Sequence, residues 1–268
     1  MRKLTRVAFA LFAFVLVAAL VGPMIWTADP NAIDLPLRLG APTLSHPLGL
    51  DQNGADVLSQ TLLGARTTLV ISFAVVSFSL FIGLLVGSLA GWKGGAWDLA
   101  ISRGLDMLQA FPGFLLSLAM VAVMGPSVKN LILAMTITGW TGYARIVRAQ
   151  VQQLRTREFV SGARALGAST PRLLVLHVWP NLAAVLAVQC TFGLSGVILA
   201  ESGLSFLGLG VPADVPTWGA LINSGRRFLA EAPHISLFPG LALATLVFSI
   251  QLLGESLRRR LNPREQTR

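Results

Sequence analysis

From Thr67 to Trp92 the chain carries no charged residue. An α-helix rises about 1.5 Å per residue, so a run of about 20 apolar residues crosses the ~30 Å of hydrocarbon in a bilayer. Five further apolar runs meet or approach that length, at 7–26, 107–128, 130–147, 173–200 and 235–254. Only 12% of the 268 residues are charged and 54% are hydrophobic, about half the charged share of an ordinary soluble domain. Such a chain cannot cover six apolar runs with a polar surface, and lipid is their natural solvent. The expected fold is an all-α polytopic membrane protein with about six transmembrane helices, a single transmembrane domain over residues 1–268.

Two runs need argument. The 130–147 run is the weakest, because Arg145 and Arg148 fall at its end, where long basic side chains reach back to the interface. The 7–26 run follows Arg2, Lys3 and Arg6, as a secretory signal also does. No clear small-x-small site follows it, and five more runs come after, so it is read as an uncleaved first span.

Of the 21 Lys and Arg, only Arg38, Arg66, Lys129, Arg226 and Arg227 fall on one side when the runs are threaded in alternation. Basic residues collect on the cytoplasmic side. Both termini and the segment from Arg145 to Arg172 are therefore expected in the cytoplasm of a multi-pass inner-membrane protein. The net charge of +9 does not point to nucleic acid, because the basic residues sit between apolar runs and not on a soluble stripe. Cys190 is the lone cysteine, so no disulfide forms within the chain and a packed small residue is expected there. Two outward loops, 27–66 and about 201–234, are rich in Pro, Gly, Asp and Asn, which suits irregular backbone at a water interface.

The cytoplasmic segment 155–180 reads as two short helices around a glycine. Phe159, Ala163 and Leu166 recur at i, i+4 and i+7 and form one apolar stripe, while Arg157, Ser161 and Arg164 look elsewhere. Gly167 is a suitable stop. Ser169 or Thr170 can cap a second helix whose first turn takes Pro171, and Pro180 stands where that helix joins the fifth run. Gly162, Ala163, Ala165, Gly167 and Ala168 leave one face flat enough for close approach by another protein.

This segment resembles the EAA loop of permease subunits of bacterial binding-protein-dependent ABC importers. The family pattern is Glu-Ala-Ala, three residues, Gly, nine residues, an apolar residue, one residue, Leu-Pro. Here Ser161-Gly162-Ala163, Gly167, His177 and Trp179-Pro180 keep that spacing. Ser161 stands in the place of the Glu, so no role of that Glu carries over. The stretch Arg164-Ala-Leu-Gly-Ala-Ser169, with His177 and Pro180-Asn181, is similar to the dipeptide, oligopeptide and nickel branch. So are His46-Pro-Leu-Gly-Leu-Asp-Gln-Asn-Gly-Ala-Asp56 and Glu201-Ser-Gly-Leu-Ser-Phe-Leu-Gly-Leu-Gly210, with Pro216-Thr-Trp-Gly219.

The resemblance implies half of the translocation pore of an ATP-driven importer, probed first for dipeptides or oligopeptides and then for nickel or another small solute. It implies four kinds of partner: a second related permease chain, two cytoplasmic ATP-binding subunits, an extracytoplasmic substrate-binding protein, and membrane lipid. Coupling to the ATPases is expected at Glu158, Phe159, Ser161, Gly162, Ala163, Arg164, Leu166 and Gly167. Asp51, Asp56, Glu201 and Trp218 are expected on the surface facing the binding protein.

Absent motifs narrow the chemistry. No Gly-x-x-x-x-Gly-Lys-Ser/Thr cradle occurs, so the chain is not the ATPase itself. There is no His-Glu-x-x-His, Cys-x-x-Cys or Gly-x-Ser-x-Gly, and the three histidines lie far apart. No catalytic residue, cofactor or metal site is expected. Asp51, Asn53 and Asp56 faintly resemble a calcium loop but lack its spacing and its terminal Glu, and read as turn and capping residues. Glu201 follows the uncharged 173–200 run, and an acid at membrane depth is a functional candidate. Two readings stand for it: a proton relay in a secondary carrier, or an acid held at the outer end of the fifth span by backbone donors or an arginine.

Overall fold

A computed structural model describes residues 2–261. Ten α-helices follow one another, with no strand among the described residues: α1 (Arg2–Ile25), α2 (Val57–Lys93), α3 (Gly95–Gln109), α4 (Gly113–Met124), α5 (Val128–Leu154), α6 (Glu158–Ala165), α7 (Thr170–Leu173), α8 (Trp179–Phe206), α9 (Trp218–Gly225) and α10 (His234–Leu261). Four helical stretches are long and apolar enough to cross a membrane: Leu4–Ile25, Val57–Lys93, Thr170–Phe206 and His234–Leu261. Much of the apolar surface of α1 faces outward, Phe9, Phe14, Val17 and Met24 among it, as lipid contact requires.

The run expected as a span at 107–128 is broken. Helices α3 and α4 meet at 75°, and the break falls at Phe111 and Pro112. Proline disfavours helical backbone at the residue before it and lacks the donor that would continue the ladder. The 12 residues of α4 reach about 18 Å, well short of the hydrocarbon, so only the bent pair taken together adds a fifth crossing.

Helix α5 holds the 130–147 run. Its 27 residues are long enough to cross, but it is not among the stretches apolar enough to do so by hydropathy. The physical reason is its setting, for α5 packs more extensively against α2 than any other pair of helices packs. A helix shielded from lipid by its neighbours needs little hydrophobicity of its own, and Thr136, Thr141 and Tyr143 are buried in it.

Glycine makes that pairing close. Gly83, Gly87 and Gly91 recur every fourth residue on one face of α2. A Cβ on Gly83 would stand 2.5 Å from Tyr143 Cβ, one on Gly87 2.5 Å from the Ala144 carbonyl, and one on Gly91 2.6 Å from the Arg148 carbonyl. Spacing of this kind lets backbones approach where lipid offers no hydrophobic drive to associate. Around the pair, Val15, Leu69, Tyr143, Leu194, Trp218 and Leu246 join α1, α2, α5, α8, α9 and α10 in one buried cluster.

Candidate functional site

At one end of the bundle, α6 projects from a rigid foot. Val160, fully buried, fixes α6 by packing with Val147 and Val151 of α5 and Val178, Leu182 and Leu186 at the start of α8. The guanidinium of Arg164 stacks 5.0 Å from the Trp92 ring at the end of α2. Beneath it, Arg155 Nη1 donates to the Trp92 carbonyl at 2.9 Å and to that of Gly91 at 3.2 Å, satisfying acceptors that a helix end leaves open. Arg148 clasps Asp98 of α3 through two nitrogens, Nε to Oδ1 and Nη2 to Oδ2 at 2.8 Å, and Gln152 Nε2 donates to the same carboxylate at 3.1 Å.

Gly167 ends α6. Its φ of +85° lies in the left-handed region that favours glycine. The Ala168 amide reaches the Ala163 carbonyl at 3.1 Å and the Gly167 amide that of Arg164 at 2.9 Å, the paired bonds of a Schellman cap. Ser169 then occupies the N-cap of α7 without a side-chain bond to it, and Pro171 sits in the first turn. Leu174–Val178 form one wide π turn into α8, closed by the Trp179 amide on the Leu174 carbonyl. Pro180, next in the chain, supplies no amide to restore the tighter ladder. Trp179 Nε1 donates to Ser88 Oγ of α2 at 3.0 Å.

The residues expected at a coupling surface stand together on α6 and its cap. Glu158, Phe159, Ser161, Gly162, Arg164, Leu166 and Gly167 are exposed and Ala163 is half-buried. Leu166 is 91% exposed. The apolar stripe of Phe159 and Leu166 therefore faces away from the bundle, and the anchor is Val160, which the stripe reading passed over. Val160 sits one position beyond Phe159, and the signal for it lay in Val147, Val151 and Val178, which can be placed opposite it only once the helices are packed.

At the other end, the four residues expected to face a binding protein are buried and offer no side-chain surface. Asp51 Oδ1 accepts from the Asn53 and Ala55 amides at 2.8 Å each, and its Oδ2 from Gln60 Nε2 at 2.9 Å. Asp56 caps α2 through the Ser59 amide at 2.7 Å, accepts from Trp26 Nε1 at 3.0 Å, and lies 2.8 Å from His46 Nδ1. Trp218 Nε1 donates to the Thr61 carbonyl at 3.0 Å. Glu201 is fully buried among hydroxyls: Ser205 at 2.8 Å, Thr68 at 3.2 Å and Ser202 at 3.4 Å. Among the described residues its partners are thus hydroxyls, neither backbone donors nor an arginine. Turn-forming residues between apolar runs read as exposed loop; here they knit segment 26–56 and α9 onto α2 and α8.

Between these ends lies an open cleft of about 310 Å³ bounded by α2, α4, α5 and α8. Ser79, Ser117, Thr138, Tyr143 and Gln189 give it polar groups and none of its lining residues is charged. Among the described residues no group of three or more His, Cys, Asp or Glu could hold a metal.

Residues 83–266 match the family of binding-protein-dependent transport system inner membrane components. The chain belongs to that family. The permease is 34% identical, over 98% of its length and 86% of the relative's, to the dipeptide transport system permease protein DppC of Alkalihalophilus pseudofirmus. It is 38% identical, over 96% and 93%, to the nickel transport system permease protein NikC of Escherichia coli. A chain of the MetNI methionine ABC transporter, solved in inward-facing conformations, superposes with a TM-score of 0.60 at 19% identity over 74% of this chain and 94% of that one. That likeness establishes a shared fold. Membership makes the protein a multi-pass permease component of an ABC importer, and it removes the reading of a proton-coupled carrier built on Glu201.

Proposed function

We propose that this permease forms half of the pore of an ATP-driven importer of dipeptides or oligopeptides, completed by a second, related permease chain. Two ATP-binding subunits dock on α6 in the cytoplasm, hydrolysis is theirs alone, and a binding protein delivers cargo from outside. Both termini are cytoplasmic in this reading, in keeping with the basic residues of 145–172.

The observation that carries the coupling role is the contrast within α6. One side is wedged by Val160 and Arg164 against the ends of α2, α5 and α8, while Phe159 and Leu166 stand in solvent. Apolar side chains held out on a rigid foot fit a cleft on another protein. A push on α6 would reach α8 through the π turn and α2 through Trp92 and Ser88. Nucleotide shifts such an assembly between inward-open and outward-open states only as far as it binds them unequally.

The peptide reading draws on the dipeptide permease among the relatives; the nickel permease supports nickel as the second reading. Proteoliposomes holding the full complex decide between them. Uptake of alanyl-alanine that requires both ATP and the binding protein supports peptide import. Uptake of nickel without peptide uptake replaces it, and uptake driven by a pH gradient alone refutes the ATP-driven assignment.

A further inference from the structure

The cleft between α2, α4, α5 and α8 contains polar groups that the fold leaves without partners. Ser79 Oγ and Tyr143 Oη are both buried and take no oxygen or nitrogen partner among the described residues; the Tyr143 hydroxyl has only the weakly bonding thiol of Cys190 beside it. Both residues line the cleft. Hydroxyls cut off from water and left unpaired cost free energy, so such groups in a native fold call for an explanation. Gln189, also on the wall, stands near the middle of α8, where lipid would tolerate an amide poorly.

Glycine makes room for these groups. The Tyr143 hydroxyl occupies the place that a Cβ on Gly193 would take, and Ser79 Oγ lies 2.9 Å from the corresponding position on Gly139. At Gly142 and Gly196, on the same walls, an added Cβ would meet nothing within 4 Å. Side chains are thus withheld on several sides of a space that carries hydroxyls and an amide but no charge. Lining of that kind suits a cargo rich in hydrogen-bonding groups whose charges need not be neutralised by the protein, and it gives a bare cation no carboxylate or imidazole.

We propose that this cleft is a binding step for the backbone of a small peptide on its way through the membrane, with Ser79, Tyr143 and Gln189 as its polar contacts. The proposal rests on the peptide-import reading and adds to it where, within this chain, the cargo is held. Peptide N–H and C=O groups would pair with the orphaned hydroxyls and the amide in passing, and the apolar part of the wall would accept varied side chains.

Cysteine labelling tests it, because Cys190 is the lone cysteine and Cys190→Ala leaves this chain without thiols and adds no hydroxyl beside Tyr143. Gly196→Cys, and separately Gly142→Cys, place a thiol where the structure has space. The complete complex in proteoliposomes is treated with a membrane-permeant maleimide, with ATP and binding protein present, and with or without alanyl-alanine. The expected result is labelling that slows several-fold only when the dipeptide is present. In the same complex Tyr143→Phe and Gln189→Leu should raise the dipeptide concentration needed for half-maximal import. Labelling at both positions that ignores the dipeptide, while the complex imports it, overturns the cleft and leaves the peptide reading standing. Thiols shielded equally in both conditions by the partner permease overturn it as well. A wild-type complex that imports no dipeptide overturns the peptide reading first, and is distinguished by its failure before any thiol is introduced.

Discussion

The Thr68 hydroxyl of α2 donates to Glu201 Oε2 of α8 across 3.2 Å, inside the protein and out of reach of solvent. One carboxylate thereby gathers a helix that begins after segment 26–56 and a helix that rises from the end of the bundle where α6 stands. Removing it by Glu201→Ala leaves Thr68 and Ser205 without their acceptor and opens a void. The expected cost is about 2–4 kcal/mol, while Glu201→Gln, which keeps an acceptor oxygen, costs less. Thermal unfolding of the purified permease in detergent compares the two.

The α2–α5 seam should be intolerant of a single methyl group. Gly87→Ala forces its Cβ toward the Ala144 carbonyl and the Val147 side chain, and overpacking of this kind costs about 1–3 kcal/mol. Gly240→Ala, in α10 where an added Cβ meets nothing within 4 Å, should instead be neutral or stabilise by about 0.5–1 kcal/mol. The same melting assay reads both.

Asp98 and Arg148 are expected to act as a unit. Either Asp98→Asn or Arg148→Gln breaks the clasp between α3 and α5, at about 1–2 kcal/mol given its partial exposure. The double variant should cost less than the two added together. A thermodynamic cycle on the three variants supplies the coupling energy, and strict additivity would mean that the pair contributes nothing to the joint.

What could be read directly from the sequence was local chemistry. Gly167 ends α6 because a left-handed cap needs a residue without a Cβ, and Asp56 caps α2 because a short carboxylate reaches the Ser59 amide. Those requirements operate within a few residues, so spacing reveals them. The break before Gly113 was signalled by Pro112 but hidden by the apolar residues on both sides, since hydropathy does not register direction. Burial of Asp56, Glu201 and Trp218 was not legible, because each takes a partner distant in the chain, namely Trp26, Thr68 and the Thr61 carbonyl, whereas the partners of Asp51 lie within nine residues of it. Gly83, Gly87 and Gly91 were visible as a stripe of small residues, yet only packing shows that α5 fills it.

Orientation has its own test. In the Cys190→Ala background, Leu44→Cys places a thiol on a fully exposed side chain of segment 26–56, and Leu166→Cys places one beside the α6 cap. An impermeant maleimide added to intact cells should label position 44 and spare position 166 until the membrane is opened. The reverse pattern would invert the permease.

The most direct test of the coupling account is ATP-driven import by a complex carrying Leu166→Arg, which keeps the α6 fold and puts a charge on its outward apolar stripe. The variant should reach the membrane at the wild-type level and import cargo about tenfold more slowly, the equivalent of about 1.4 kcal/mol of lost docking. Import at the wild-type rate would contradict the assignment of α6 as the surface on which the ATPases act.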